Sequence, residues 1–423
     1  MATVSARAPL IGALLLYFVL TAALIVGVPW NGAPDEAAHA QYIEAIVTTH
    51  ALPVFRGQSP PNPGYEFHQP PLFYLLAAPL WAVLPAGVQN YSARVLSLVF
   101  GLLTIWVVWN AANLLFGRSS RASALCTLGT ALSPLHQGIG AGVNNDGLAG
   151  LWAACLFYLV ARAWLEVPTR RLIVTTGIVA GLGVLTKLTA LPLSAWAFVA
   201  VGAALYKQGE RPIPSLLPAL VIALLLSAPM MIRNQFLYGD PFAYGLFSRA
   251  AMISPGFTQF SAAGASFVFY MRAMAWQILG TAWGFWGGPN TLIAVTRTLS
   301  PLGPQLPDPL WLAPLSTVVL VPLAGIVAAY KARQIEPPTE EGRALMMWWT
   351  LGAFLVFLLW ANFAFAHFAG GQARYLHAAM LPLVLLVGGG LARTRTGTMA
   401  AVLLGLVMLG LSLANIFVWK TLV

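Results

Sequence analysis

The sequence predicts an all-α fold, a polytopic transmembrane helical bundle of about eleven spans, and three observations lead to this prediction. Of the 423 residues, 59% are hydrophobic and only 8% are charged, whereas soluble proteins have about a quarter charged residues. Apolar runs long enough to cross a hydrocarbon core of about 30 Å recur along the chain. Lys and Arg cluster in alternate loops. This composition excludes a soluble enzyme and a nucleic-acid-binding protein, despite the net charge of +10.

Hydropathy places each span in turn. The predicted spans are 9–29, 92–116, 122–142, 147–165, 172–187, 189–206, 213–230, 309–330, 344–366, 375–392 and 398–418. The run at 70–85 is too short for a span, so we expect a helix on the outer membrane face. The later Lys and Arg clusters then share a side with Arg7, as the positive-inside rule requires. A crossing at 70–85 would instead give twelve spans.

No cleavage site follows the first span, so we expect it to be retained, with the N-terminus in the cytoplasm. This topology divides the chain into three regions. Residues 1–230 form a membrane module with an outer loop at 30–91. Residues 231–308 form a long outer loop with interfacial helices, and 309–423 form the C-terminal spans. Seven acidic residues face outward: Asp35, Glu36, Glu44, Glu66, Asp146, Asp240 and Asp308. Cys126 and Cys155 lie in apolar segments and support neither a disulfide nor a zinc site.

Two polar motifs stand out in the first outer loop. Asp35 and Glu36 follow Pro34 at the predicted start of a helix, where the helix dipole favours acids, and His39 shares a face with Asp35. Two helix-start acids are the ordinary interpretation of such a pattern. The polar stretch Tyr65 to Gln69, directly before the surface helix, favours a functional interpretation instead.

Three cations are predicted at the outer ends of spans: Lys187, Arg233 and Arg374. A cation between apolar segments is costly without an anionic partner, so together they could bind a phosphate. The alternative is that each snorkels to lipid headgroups. Arg94 is interpreted as an interfacial anchor, while His136 and His377 are interpreted as packing groups.

In order along the chain, these landmarks resemble those of the GT-C superfamily of integral-membrane glycosyltransferases. The similarity is to the bacterial branch that contains protein O-mannosyltransferases and aminoarabinose transferases, of the glycosyltransferase family 39 type. The residues that carry it are Asp35-Glu36 with His39 and Tyr42; His68-Gln69-Pro70-Pro71-Leu72-Phe73-Tyr74; Arg94; Asn144-Asn145-Asp146; Leu185-Thr186-Lys187; Arg233-Asn234 with Tyr238-Gly239-Asp240; and Arg374-Tyr375-Leu376.

The resemblance implies a GT-C bundle in the bacterial plasma (inner) membrane, with its active site on the outer side. It implies transfer of a sugar, with inversion, from a polyprenyl-phosphate-linked donor to a protein or lipid acceptor. Asp35 is then the expected base, with Glu36 orienting Asp35 or the acceptor. The residues expected at the donor phosphate are Lys187, Arg233, Arg374, His68 and Gln69, and those expected at the sugar or acceptor are His39, Tyr42 and Asn145.

The resemblance leaves the cofactor open. Asp35 and Asp146 could hold a divalent cation, Mg²⁺ or Mn²⁺, as carboxylates do in the related oligosaccharyltransferases, while other relatives work without a metal. His68-Gln69 also stands where aminoarabinose transferases carry a lysine. Two other function classes are weighed: a transporter or flippase of a lipid-linked saccharide, and a non-catalytic lipid-binding scaffold. The lack of duplicated halves argues against the first, and Asp35-Glu36 argues against the second.

Overall fold

The computed structural model describes residues 7–59, 62–117, 120–251, 256–264, 266–282 and 340–421, and all regular secondary structure within these ranges is helical. The α-helices, in order, are α1 (Ala8–Gly27), α2 (Glu36–Thr49), α3 (Leu72–Val83), α4 (Gln89–Phe116), α5 (Arg121–Leu132), α6 (Pro134–Ala141), α7 (Asp146–Leu165), α8 (Arg170–Thr186), α9 (Ala190–Lys207), α10 (Pro212–Tyr238), α11 (Tyr244–Ala251), α12 (Phe257–Ala262), α13 (Phe267–Ala282), α14 (Glu340–Ala366), α15 (Met380–Leu391) and α16 (Arg395–Thr421). The predicted all-α membrane fold is confirmed.

The first span packs closely inside the bundle. Helix α1 contacts α4, α5 and α6, and its Tyr17 is fully buried between α4 and α6. A Cβ on Gly101 or Gly140 would lie 1.9 or 2.0 Å from the Tyr17 hydroxyl. Glycine at both positions therefore lets α4 and α6 approach the first span at this depth.

Eight helices in the described ranges are long and apolar enough to cross a membrane. Helix α3 has only 12 residues, about 18 Å of helix, which is shorter than a hydrocarbon core of about 30 Å. Helix α8, within which a further span is predicted, has 17 residues and is not among these eight helices. The predicted span at 309–330 lies outside the described residues, so the total of eleven or twelve spans stays a prediction.

Two spans predicted as continuous helices are interrupted. The segment 122–142 divides at Ser133, because Pro134 lacks an N–H and the Ser133 side chain caps α6 instead. The segment 375–392 begins as a 3₁₀ helix, Ala373–Ala379, and becomes α-helical only at Met380. The second interruption carries Arg374 into the bundle, where it is 8% exposed.

The apolar core is formed mainly by α4, α7, α8 and α9, with α2 and α3 packed on one end of it. Large apolar side chains on α10 and α14, among them Leu225 and Phe354, remain exposed. Exposed apolar rows of this kind are what a lipid-facing surface requires.

Candidate active site

Four charged side chains from four separate segments meet at one end of the helices. Asp35 is the N-cap of α2, Asp146 is the first residue of α7, Lys187 is the C-cap of α8, and Arg374 lies in the 3₁₀ helix before α15. Asp35 adopts a left-handed backbone with φ 59°, which Asp tolerates better than most residues. We call these four residues the ionic cluster.

Cations and carboxylates alternate in the ionic cluster. The Arg374 Nη2 atom lies 2.5 Å from Asp35 Oδ2 and Nη1 lies 3.7 Å from Asp146 Oδ2, while Lys187 Nζ donates to Asp146 Oδ1. Arg374, Asp146 and Lys187 are nearly buried, but the Asp35 side chain is 31% exposed. Asp35 is therefore the carboxylate of the cluster that an incoming substrate reaches most easily.

An aromatic ring supports the two cations. The Tyr375 ring centroid lies 5.3 Å from Lys187 Nζ and 5.0 Å from the Arg374 guanidinium carbon, and Arg374 Nη2 donates to the Tyr375 hydroxyl at 3.2 Å. Cation–π contacts stabilise a positive charge in a dry environment. Both cations thus stay inside the protein, and the snorkelling alternative does not apply to Lys187 or Arg374.

The environment keeps Asp35 ionised. Burial opposes its charge, but the Arg374 guanidinium and a hydrogen bond from the Tyr65 hydroxyl lower the pKa of Asp35 to about 2. Opposite charge and hydrogen bonding to the charged form both act in this direction. Asp35 is therefore a carboxylate, able to accept a proton, at every physiological pH.

Glu36, the next residue, has no free oxygen. Its Oε1 accepts from Arg94 Nε at 2.7 Å and from the Val143 amide at 3.1 Å. Its Oε2 accepts from Arg94 Nη2 at 2.8 Å and from the Asn31 amide at 3.0 Å. Glu36 is fully buried, so this carboxylate joins the first outer loop to the second.

The interpretation of Arg94 as an interfacial anchor is wrong. Arg94 is 3% exposed and, besides Glu36, it donates to the carbonyl groups of Ile25, Val28 and Pro29. Arg94 and its partner Glu36 therefore fix the C-terminal end of α1 against α4. Sequence reasoning missed this role because an Arg at the mouth of a span resembles a lipid anchor, and its partner is 58 residues away.

His39 and Tyr42, expected at the sugar or acceptor, lie on α2 and contact Tyr74 of α3. His39 Nδ1 lies 2.8 Å from the Tyr74 hydroxyl, the Tyr42 ring stacks on Tyr74 at 3.8 Å, and the Tyr42 hydroxyl donates to the Gln69 carbonyl at 3.2 Å. Burial lowers the pKa of His39. Both residues are nearly buried and hold the Gln69 segment against α2.

His68 and Arg233, expected at the donor phosphate, have other contacts. His68 Nδ1 donates to the Tyr65 carbonyl at 2.8 Å, and its ring lies between Phe55 and Phe247. Burial lowers the pKa of His68 to about 4, so it is neutral at physiological pH. Arg233 Nη2 donates to the carbonyl groups of Leu52 and Pro53 at 3.0 and 2.8 Å. Of the three predicted cations, the structure brings Lys187 and Arg374 together.

The donor set does not fit a divalent cation. Among the described residues, no group of three or more His, Cys, Asp or Glu is placed to hold a metal ion. Asp35 and Asp146 are each paired with Arg374, and Asp146 is also paired with Lys187. A dication at this place would be repelled by both cations, so the residues do not fit the Mg²⁺ or Mn²⁺ that the sequence left open.

Comparisons with known proteins bear on this arrangement. Residues 68–232 match the family model described as dolichyl-phosphate-mannose-protein mannosyltransferase. The matched segment carries Gln69, Asn145, Asp146 and Lys187. No curated protein matches the chain by sequence.

Two solved structures of one oligosaccharyltransferase share the fold. The oligosaccharyltransferase of Archaeoglobus fulgidus, tethered with an acceptor peptide, aligns with a TM-score of 0.58 at 14% identity over 96% of this chain and 55% of that chain. The same enzyme in complex with Zn and sulfate aligns at 0.55 and 16% identity, over 96% and 53%. ArnT of Cupriavidus metallidurans bound to undecaprenyl phosphate gives 0.43 and 18%, over 97% and 78%. The chain thus spans about half the length of the oligosaccharyltransferase whose fold it shares.

Proposed function

Taking the chain as a glycosyltransferase of the GT-C superfamily, which the family match and the shared fold support, we propose that it transfers a sugar from a polyprenyl-phosphate-linked donor to an acceptor on the outer face of the membrane. The observation that supports this most directly is the ionic cluster. It presents an accessible carboxylate, Asp35, beside two nearly buried cations, Lys187 and Arg374. Proton acceptor and phosphate ligands are the two requirements of this reaction.

In the proposed reaction the acceptor hydroxyl oxygen attacks the anomeric carbon of the donor sugar. The bond from that carbon to the phosphate oxygen breaks, and the electron pair leaves with the phosphate. The acceptor proton passes to the Asp35 carboxylate. Attack from the side opposite the phosphate inverts the anomeric configuration. Lys187 and Arg374 stabilise the charge that develops on the leaving phosphate, Arg374 through its planar array of N–H groups.

The donor phosphate would enter as a competitor within the cluster. In the structure, Asp35 and Asp146 neutralise the two cations. A phosphate between Lys187 and Arg374 would draw Arg374 away from Asp35 and would neutralise part of the positive charge of Arg374. Asp35 would then lose the contact that most lowers its pKa, and it would become a stronger base at the moment when donor is present.

A strain that lacks this gene tests the proposed function. Mass spectrometry of its outer-face proteins and lipids should show one modification reduced by a hexose or pentose mass. The wild-type gene should restore it, and the Asp35→Asn variant, expressed to the same level, should not. An unchanged set of glycosylated products, or restoration by Asp35→Asn, would contradict the proposal.

A further inference from the structure

Two buried histidines join α6 to the 3₁₀ helix that carries Arg374. His136 Nδ1 lies 2.9 Å from His377 Nε2, and the two residues are 2% and 3% exposed. His136 is on α6, and His377 is in Ala373–Ala379, three residues after Arg374. The sequence alone indicates packing roles for both histidines, but this hydrogen bond gives them a defined partner.

The Gly101 carbonyl fixes the direction of the hydrogen bond. His136 Nε2 lies 3.1 Å from the Gly101 oxygen, and because a carbonyl can only accept, this Nε2 carries a proton. In the neutral ring Nδ1 is then an acceptor, so the N–H group of His377 Nε2 donates to it. The Tyr17 hydroxyl also donates to the His136 carbonyl at 3.3 Å. His136 is therefore held from α1 and α4, and it holds His377.

Arg374 and His377 contact α7 one turn apart. Three residues separate them, and a 3₁₀ helix has three residues per turn, so their side chains project in the same direction. Arg374 Nη1 lies 3.7 Å from Asp146 Oδ2. His377 packs on Gly150, which shares a face of α7 with Asp146. A Cβ on Gly150 would lie 2.2 Å from His377 Nδ1, so glycine leaves the room that the ring needs.

A different side chain ties Asp146 and Lys187 together. Asn145, next to Asp146, donates from Nδ2 to the carbonyl of Thr186, next to Lys187, at 3.3 Å. The same nitrogen donates to Gln69 Oε1 at 3.2 Å. These two hydrogen bonds join the start of α7 to the end of α8 and to the first outer loop, and they involve no residue of the Arg374 segment.

The place of Arg374 depends on its own segment. Its Nε atom has no hydrogen-bond partner among the described residues, and the N-cap residue of the 3₁₀ helix makes no side-chain capping hydrogen bond. The Ala373 amide donates to Thr281 Oγ1 at 2.8 Å, and His377 donates to His136 at 2.9 Å. The backbone of Arg374 is thus held before it by α13 and after it by the histidine pair.

We propose that His377, held by His136, is a positioning residue that fixes where the Arg374 guanidinium meets the donor phosphate. The inference rests on the proposed function and extends it to two residues that do not belong to the ionic cluster. A guanidinium binds phosphate through N–H groups in a fixed plane. Its affinity therefore falls when the backbone that carries it is displaced.

The test compares polyprenyl phosphate with polyprenol, which has the same chain and no phosphate, by native mass spectrometry of the purified protein. The wild type should prefer the phosphate. His377→Ala should lose about tenfold of that preference, as expected for residues coupled in one hydrogen-bond network, and should bind polyprenol as the wild type does. His377→Gln should keep the preference, because its amide nitrogen can donate to His136 in place of Nε2.

Gly150→Ala is a second variant that keeps both histidines. Its Cβ should displace the His377 ring and so lower the phosphate preference. Gly147→Ala is the matched control on the same helix, because the nearest atom to a Cβ there, Ile139 Cγ2, lies at 3.6 Å, an ordinary contact. This control should keep the preference of the wild type.

Polyprenol binding separates positioning from folding, since Arg374 would touch only the phosphate. Equal loss for both lipids, an unchanged preference in His377→Ala and Gly150→Ala, or equal losses in His377→Gln and His377→Ala would overturn the positioning role and leave the proposed function standing. Equal losses in Gly150→Ala and Gly147→Ala would also overturn it. A wild-type protein that binds the two lipids equally would instead overturn the phosphate site of the proposed function, and the positioning role with it.

Discussion

At the scale of single residues, two consecutive carboxylates have opposite environments. The Asp35 side chain is 31% exposed, and one of its oxygens contacts Arg374. Glu36, in contrast, accepts four hydrogen bonds and is fully buried. A proton acceptor needs access to the acceptor hydroxyl, and a structural carboxylate needs to be saturated. The geometry therefore supports assigning proton transfer to Asp35 and positioning to Glu36.

Replacing Asp35 by Asn should lower the transfer rate by about 10²- to 10⁴-fold, because an amide cannot take the acceptor proton. Donor affinity should not fall, since Arg374 would lose its carboxylate partner and be freer to bind phosphate. Both quantities are measured on purified protein with a labelled polyprenyl-phosphate sugar. Asp240→Asn is the control, because Asp240 is a half-buried carboxylate that accepts from the Phe242 and Gly245 amides after α10 and lies outside the ionic cluster. Normal turnover by Asp35→Asn would rule out its role as base.

His68 should not respond to pH in the physiological range. Burial lowers its pKa to about 4, so it gains a proton only in strong acid and stays neutral from about pH 5.5 to 8. Affinity for a glycosylated donor, a phosphodiester whose charge is constant in this range, should give superimposable pH profiles for wild type and His68→Asn. A wild-type affinity that rises on acidification, absent in the variant, would show that His68 binds the phosphate as a cation.

Some of these residues could be predicted and others could not. Asp35 and Lys187 stand out because a charge in apolar sequence needs a partner. Arg94 does not, because its role depends on contacts with residues distant in sequence. Only the fold shows that Arg94 closes onto Glu36.

At the scale of helices, the Arg94–Glu36 ion pair fixes the C-terminal end of α1 against α4. Arg94→Leu should destabilise the protein by about 3–5 kcal/mol, because it leaves Glu36 buried without its cation. The Glu36→Gln/Arg94→Leu double variant should lose less than the sum of the single variants. Unfolding in detergent, followed by circular dichroism, measures each free energy.

The exposed pair Arg162–Glu166, with side chains 38% and 40% exposed, serves as the control. Arg162→Leu should change the free energy of unfolding by less than about 1 kcal/mol. Equal effects at the two pairs, or strictly additive effects in the double variant, would contradict the structural role of the Arg94–Glu36 pair.

Hydropathy located most helices within a few residues but missed two interruptions. It averages over a window and so is insensitive to the cap at Ser133 and to the 3₁₀ segment at Ala373–Ala379. The second interruption matters most, because it carries Arg374 to the ionic cluster. The sequence therefore identified Arg374 as a cation at the end of a span, but it did not predict that Arg374 lies in a 3₁₀ helix.

At the scale of the whole molecule, the side of each loop decides whether the ionic cluster faces outward. In a background with Cys126→Ala and Cys155→Ala, we expect Ala51→Cys to react with an impermeant maleimide in intact cells. Gln208→Cys, exposed after α9, should react only after permeabilisation. Labelling of Gln208→Cys from outside would mean that α3 crosses the membrane and that the chain has the twelve-span topology.

We propose that Lys187 and Arg374 hold the donor phosphate beside Asp35, and a cryo-electron microscopy structure of the protein with polyprenyl phosphate tests this most directly. We predict phosphate oxygens within hydrogen-bond distance of Lys187 Nζ and of the Arg374 guanidinium, with the contact of 2.5 Å between Arg374 and Asp35 lengthened or lost. A phosphate bound elsewhere, with the ionic cluster unchanged, would contradict the account.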